Sequence, residues 1–256
     1  MRMKFVPKVI AASIIACSFY AQADLLEDIQ HDGVLKVGTT GDYKPFSYFD
    51  GKEYSGYDID VAKHIAAELG VKLEIVKTSW KNLIPDLDAE KYDIAMGGIT
   101  RKIQRQLAAE QTQGYMTFGK CFLVANGTEK QFDTIEKVNR PEVKVGVNIG
   151  GTNEAFADKY LSKATIIRFD NNLDVPKAVA EGKVDVMVTE TPEAQFYQVT
   201  DKRLDAVRED NPFTKSQFGY LIQDDEQRLL NTVNFIMDEM KLKGIDKELM
   251  KKNHLL

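Results

Sequence analysis

The chain has 256 residues, 43 % of them apolar, and a net charge of −5, which suits one large or two smaller domains with packed cores. An acidic balance of this kind argues against nucleic acid or an anionic membrane as partner, and leaves room for a small anion in a local basic pocket. The two cysteines give no disulfide framework to the exported part, and His31, His64 and His254 lie too far apart for a histidine metal site.

Arg2, Lys4 and Lys8, an apolar run over 9–19 and Ala21-Gln22-Ala23 predict a signal peptide over 1–23, with export to the periplasm and a mature start near Asp24. A competing reading keeps Cys17, in Ile14-Ile15-Ala16-Cys17, as a lipid-bearing N-terminus. The run is too short to span a bilayer, and no later apolar stretch would hold the mature form in a membrane. Removing those basic residues takes the net charge to about −8. Cys121 is then left alone, so stability must come from the core.

Residues 25–31 read as a short amphipathic helix and 34–38 as the first strand. The following loop, Thr39-Thr40-Gly41-Asp42-Tyr43-Lys44-Pro45-Phe46-Ser47-Tyr48, carries three aromatics. Phe46 and Tyr48 read as core, whereas Tyr43 fits core and ligand contact equally. Gly56-Tyr57-Asp58-Ile59-Asp60 leads into a helix ended by Gly70, and a strand follows over 71–76. Trp80 falls at a strand-to-helix junction, where packing and a ligand platform are equally good readings.

Lys91-Tyr92-Asp93 followed by apolar residues and Met96 is echoed by Lys183-Val184-Asp185 followed by Met187, one device used in each half. After the first, Gly97 and Gly98 allow close backbone approach, Thr100 is placed to cap a helix over 101–110, and Arg105 could take a carboxylate bidentately or stand solvated on the helix face. Lys120 opens a strand leading out of the first half, and residues 127–141 read as polar and helical. Asn148-Ile149-Gly150-Gly151-Thr152-Asn153-Glu154 is a second glycine-rich turn, suited to a carboxylate and lacking the spacing of a nucleotide motif. Helices are expected over 155–161 and 173–181, with a strand over 165–169 between them. The strand beginning at Val184 ends in Glu190 and Glu193, with Thr191 as the expected N-cap and Pro192 at the first helical position. Glu193 could simply complement the helix dipole. Residues 218–222 return the chain to the first half, and two amphipathic helices finish it.

Two α/β lobes joined by two crossings, with polar groups at strand tips, resemble the periplasmic solute-binding proteins for amino acids. The stretch from Gly56 to Ala62, Gly98 and Thr100 with Arg105, and Thr152 carry that resemblance. It implies the type II two-lobed periplasmic binding fold, with residues 24–122 and 222–256 as the first lobe and 123–221 as the second. Within that group the chain is similar to the periplasmic cyclohexadienyl dehydratases, which convert prephenate to phenylpyruvate or arogenate to phenylalanine. The carriers here are the stretch from Thr40 to Tyr48, Thr78-Ser79-Trp80, Gly119-Lys120, and Asn148 with Gly150 to Glu154. The departures are Thr189-Glu190-Thr191-Pro192, where the enzymes have Thr-Asp, and residues 113–118.

This resemblance implies a carbon–oxygen lyase in which Glu193 is the general acid, with Lys120 and Asn153 beside the reacting ring. Tyr43, Trp80, Gly98, Thr100, Arg105, Asn148, Thr152 and Glu190 would bind the substrate, and no metal or organic cofactor would be required. The alternative is a non-catalytic amino-acid receptor serving an ABC transporter permease, with Glu190 gripping the ligand ammonium. Either way the partner is a small molecule, and the sequence leaves a homo-oligomer open. One physical objection stands against the lyase: a helix N-terminus favours an ionised Glu193, whereas an acid must keep its proton.

Overall fold

The structure, a computed structural model, describes residues 24–256; the expected signal peptide and Cys17 lie outside them. Two sheets organise the chain. The first runs in the order Lys72–Lys77, Val34–Thr39, Ile94–Thr100, Ser216–Ile222 and Glu110–Gln111, with Met116–Phe118 also paired to Ser216–Ile222. The second runs Thr165–Phe169, Lys144–Asn148, Val186–Glu190, Lys120–Ala125 and Leu204–Val207. Each has three parallel strands in the spatial order second, first, third, and then an antiparallel strand beside the third.

The repeated Lys-x-Asp device marks equivalent places in these sheets. Asp93 accepts a hydrogen bond from the Lys36 backbone N–H at 2.7 Å, and Asp185 accepts one from Lys144 at 2.8 Å. In each lobe the aspartate before the third strand thus ties down the start of the first. The third strands are buried throughout, and apolar up to their polar tips, because both their faces are covered. Val186 and Val188 pack on one side with Phe122 and Phe156, while Met187 packs on the other with Val175 and Val179. The long helix Gln227–Lys243 sets Leu229, Val233, Ile236, Met237 and Met240 against the first sheet. Among the described residues no helix is long and apolar enough to cross a membrane.

The lobe boundaries differ from those expected at residues 122 and 222. Phe118 packs in the first core and Phe122 in the second, so the first crossing is at Gly119. The return falls between Leu204–Val207 and Ser216–Ile222, since the latter strand pairs wholly within the first sheet. The two crossings touch. Lys120 donates its N–H to Thr214 Oγ1 at 2.9 Å, Phe213 donates to the Lys120 carbonyl at 2.8 Å, and a Cβ on Gly119 would collide with the Thr214 carbonyl. Only glycine lets the strands pass so closely.

Three local expectations also change. The helix expected over 101–110 is only Ile103–Gln106, with Lys102 at its N-cap, because Glu110–Gln111 leaves to pair with Ser216–Ile222. Thr100 therefore ends a strand and caps nothing. The polar stretch 127–141 holds only the short turns Glu129–Gln131 and Ile135–Val138. Helix Thr191–Thr200 has Glu190 at its N-cap instead of Thr191, and the Glu190 side chain makes no capping bond. It is engaged elsewhere.

Candidate active site

The third strand of each lobe delivers its tip to the cleft, where open α/β sheets place their ligands. From the first lobe come Gly98 and Thr100; from the second comes Glu190. With Tyr43, Trp80, Arg105, Asn148, Gly151, Thr152 and Asn153 they line a narrow cavity of about 10 Å³, closed down by the approach of the two lobes. A larger space of about 320 Å³ opens outside it, between Thr40, Tyr54 and Lys81 of the first lobe and Ile149 and Leu173 of the second. Trp80 is a wall of both, which makes the outer space a vestibule.

The inner wall is held by one buried ion pair. The Lys120 ammonium donates to Glu190 Oε1, to Asn153 Oδ1, and at 2.8 Å to Thr152 Oγ1. Glu190 also accepts from the Thr152 hydroxyl at 3.1 Å and, across the cleft, from the Tyr43 hydroxyl at 2.6 Å. Burial alone would raise the Glu190 pKa, but the Lys120 charge and these hydrogen bonds outweigh it and hold the carboxyl below its ordinary value. Asn153 donates to Asn148 at 3.3 Å, which fixes the amide that faces Lys120. Tyr43 is clamped by Phe46, stacked at 5.3 Å, and by the edge of Trp80 at 5.7 Å.

On the opposite side Arg105 is 7 % exposed and donates to the Thr100 carbonyl at 2.8 Å. Burial lowers its pKa to about 10, a pull the Glu190 charge opposes, so it stays cationic at neutral pH. A guanidinium has five N–H donors, and one bond to a carbonyl leaves others for a carboxylate. Thr152 lies 3.5 Å from Thr100, hydroxyl to hydroxyl, so the two lobes meet here.

Lys120 and Glu193 are outside the cavity lining. Lys120 reaches its edge through Thr152, Asn153 and Glu190, whereas Glu193 is set behind it and wholly buried. Its carboxyl takes hydrogen bonds from the Thr189 hydroxyl and, at 2.7 Å, from Asn172 Nδ2. Desolvation dominates its titration and pushes the pKa well above the ordinary value, aided by the charges of Glu190 and Asp42 and opposed by those two hydrogen bonds. Burial thus overrides the helix N-terminus on which the objection to a proton-bearing Glu193 rested.

Sequence reasoning missed three contributors. Asn172 and Thr189 hold Glu193, and Asp58 lies under the cleft floor, accepting from the Gly98 N–H at 2.6 Å and from the Tyr115 and Tyr220 hydroxyls. The signal for Asn172 was an asparagine at a strand-to-helix turn equivalent to that of Trp80. Among the described residues no cluster of three or more ligating side chains could hold a metal ion.

Comparison with known proteins adds ancestry to this geometry. Residues 35–255 match the family described as bacterial extracellular solute-binding proteins, family 3. A cyclohexadienyl dehydratase of Pseudomonas aeruginosa is 39 % identical over 84 % of this chain and 81 % of its own. An ancestral amino-acid-binding protein described as a precursor of cyclohexadienyl dehydratase superposes with a TM-score of 0.84 at 39 % identity, covering 90 % of this chain and 99 % of that one. An ancestral cyclohexadienyl dehydratase is 48 % identical with a TM-score of 0.58, over 91 % and 98 % of the two chains.

Proposed function

The chain belongs to the bacterial extracellular solute-binding proteins of family 3, and within that family we propose that it is a periplasmic cyclohexadienyl dehydratase. Its reaction is the decarboxylating dehydration of prephenate to phenylpyruvate, or of arogenate to phenylalanine. The observation that carries this reading is the pair of carboxyls at one strand tip, Glu190 ionised against Lys120 and Glu193 buried with its pKa pushed up. A receptor for a cationic amino acid needs an anion to grip the ammonium, and here Lys120 already occupies Glu190. Arg105 and Lys120 present two cations at the inner cleft, of which Arg105 has no carboxylate partner among the described residues, an arrangement suited to an anionic substrate.

Arg105, with Thr100 and Thr152, takes the side-chain carboxylate of prephenate, and Trp80 and Tyr43 flank the ring. Lys120 and Asn153 orient the ring end. Glu193 gives its proton to the ring hydroxyl, exchanging its Thr189 hydrogen bond for one to the substrate. The C–O bond breaks and water leaves. The electron pair of the bond to the ring carboxylate closes the aromatic ring as carbon dioxide departs, so the dianion and one proton become phenylpyruvate, carbon dioxide and water. Aromaticity supplies the driving force, and the protein supplies the proton and the placement. The basic N-terminus and Ala21-Gln22-Ala23, with the extracellular family, support the periplasmic location.

Purified protein incubated with prephenate at neutral pH should form phenylpyruvate, and Glu193→Gln should slow this by about 10²- to 10⁴-fold, the usual share of a general acid. Turnover no faster than the spontaneous reaction, alongside tight binding of an amino acid, would make the chain a receptor.

A further inference from the structure

Four residues form a continuous path of hydrogen bonds from half-buried Trp80 in one lobe to the buried acid in the other. Trp80 Nε1–H donates to Asp42 Oδ1 at 3.0 Å, and both residues belong to the first lobe. Asp42 Oδ2 accepts the Asn172 backbone N–H at 3.0 Å across the cleft, and Asn172 Nδ2 donates to Glu193 Oε1 at 2.7 Å within the second lobe. Asn172 is 1 % exposed and Asp42 is 8 % exposed, so neither bond is diluted by water.

We propose that Asn172, pinned across the cleft by Asp42, is a positioning residue that aims the Glu193 carboxyl and makes its placement depend on contact between the lobes. This rests on the dehydratase reading for its consequence in turnover, and on geometry alone for the coupling. Asn172 sits in the turn between strand Thr165–Phe169 and helix Asp174–Ala180. Its backbone N–H is held by a carboxylate of the other lobe, so parting the lobes removes a charge-assisted bond from that turn. The amide that turn carries then loses its fixed aim.

Two further features support a functional role for this asparagine. Asn172 Oδ1 is buried without a hydrogen-bond partner, a cost that packing alone would not select. In addition, Nδ2 donates to Oε1 while the Thr189 hydroxyl donates to Oε2, so the carboxyl is held at both oxygens. Asn172 therefore fixes the plane and direction of the carboxyl from one side, with Thr189 on the other. Asp42 reaches the same group from the other side through its charge. The groups facing Glu193 are Thr189 on the preceding strand, Glu190 at the junction, Tyr197 one turn on along its own helix, Lys120 and Cys121 on the neighbouring strand, Asn172 on the adjoining turn, and Asp42 and Tyr43 from the opposite lobe.

The test is a pair of variants with opposite signatures. Asn172→Ala removes a hydrogen bond that lowers the Glu193 pKa, so the alkaline limb of kcat should move to higher pH. Asp42→Asn removes a charge that raises it, so the limb should move to lower pH. Both should lower kcat, by up to about 100-fold for a misaimed group, with KM within about twofold. The double variant should cost little more than the worse single one, because both act through one path. An infrared titration of the protonated-carboxyl band that vanishes in Glu193→Gln reads the same shifts without turnover. If wild type does not dehydrate prephenate, the dehydratase reading falls and the infrared shifts still decide the coupling. An unmoved band and limb in Asn172→Ala would overturn it, as would equal losses in both variants with no change in either titration.

Discussion

Glu190 and Glu193 stand three residues apart at one strand-to-helix junction, 3 % and 0 % exposed, and are driven in opposite directions. Lys120 and its hydrogen bonds keep Glu190 charged, whereas burial and the charge of Glu190 keep the proton on Glu193. Two carboxyls whose surroundings separate their pKa values can divide acid and charge-balancing roles between them.

Glu190→Gln tests this division. Removing the Glu190 charge should lower the Glu193 pKa and shift the alkaline limb of kcat to lower pH. The Lys120 charge, no longer balanced, acts in the same direction. Breaking a buried pair by deleting one partner should also destabilise the protein by about 3–5 kcal/mol. A pH–rate profile with a urea unfolding curve measures both, and an unmoved limb would mean the two carboxyls do not interact.

Glu193 should cost stability for the same reason that it holds a proton. Its folded pKa is raised, so as pH rises from the unfolded value, about 4.3, the unfolded chain releases its proton while the native one keeps it. Stability therefore falls with pH across that window, up to the folded pKa. Glu193→Gln keeps the Asn172 hydrogen bond on its amide oxygen, reverses the Thr189 one so that its amide donates to that hydroxyl, and has no such slope. Its stability relative to wild type should increase between pH 5 and pH 8 in urea unfolding, while turnover is lost.

The strand tips were legible because glycines or acids that follow an apolar run break its pattern, as Gly97, Gly98 and Glu190 do. Arg105 was found through its distance from those glycines, although it lies on a four-residue helix and not the longer one expected. What the sequence hid was long-range pairing. Asp58 meets Tyr220 from 162 residues away and Asn172 meets Asp42 from 130, and no periodicity encodes such partners. The Glu193 pKa was hidden likewise, since the local signal, a helix N-terminus, points the other way and burial is a property of the whole fold.

Charge balance predicts a preference for prephenate over arogenate. The two share both carboxylates, but arogenate carries an ammonium where prephenate has an oxo group. That ammonium would enter a cleft in which Lys120 already occupies Glu190 and Arg105 adds a second cation. Leaving a charged donor unpaired costs about 1.5–3 kcal/mol, so kcat/KM should favour prephenate by at least about tenfold. Parallel assays of the two substrates decide it, and Glu190→Gln should not restore arogenate, because Lys120 would still repel the amine.

Asp58 should govern the cleft floor without touching the substrate. It accepts hydrogen bonds from the Gly98 N–H at 2.6 Å, Tyr220 at 2.8 Å and Tyr115 at 2.9 Å. Gly98 holds φ near +64°, and a Cβ there would strike the Tyr43 ring that bridges to Glu190. Asp58→Ala leaves these donors without an acceptor, which should cost about 2–4 kcal/mol and raise KM through a loosened Gly98 and Tyr43. Burial pushes the Asp58 pKa up to about 6 against those hydrogen bonds. Raising the pH from near 4 to above 6 therefore ionises it in the native state at a cost of about 3 kcal/mol relative to the unfolded chain. Asp58→Asn abolishes that slope. Urea unfolding at pH 5 and pH 8 should show wild type losing more stability than Asp58→Asn between the two, and parallel losses would mean that Asp58 does not titrate in this range.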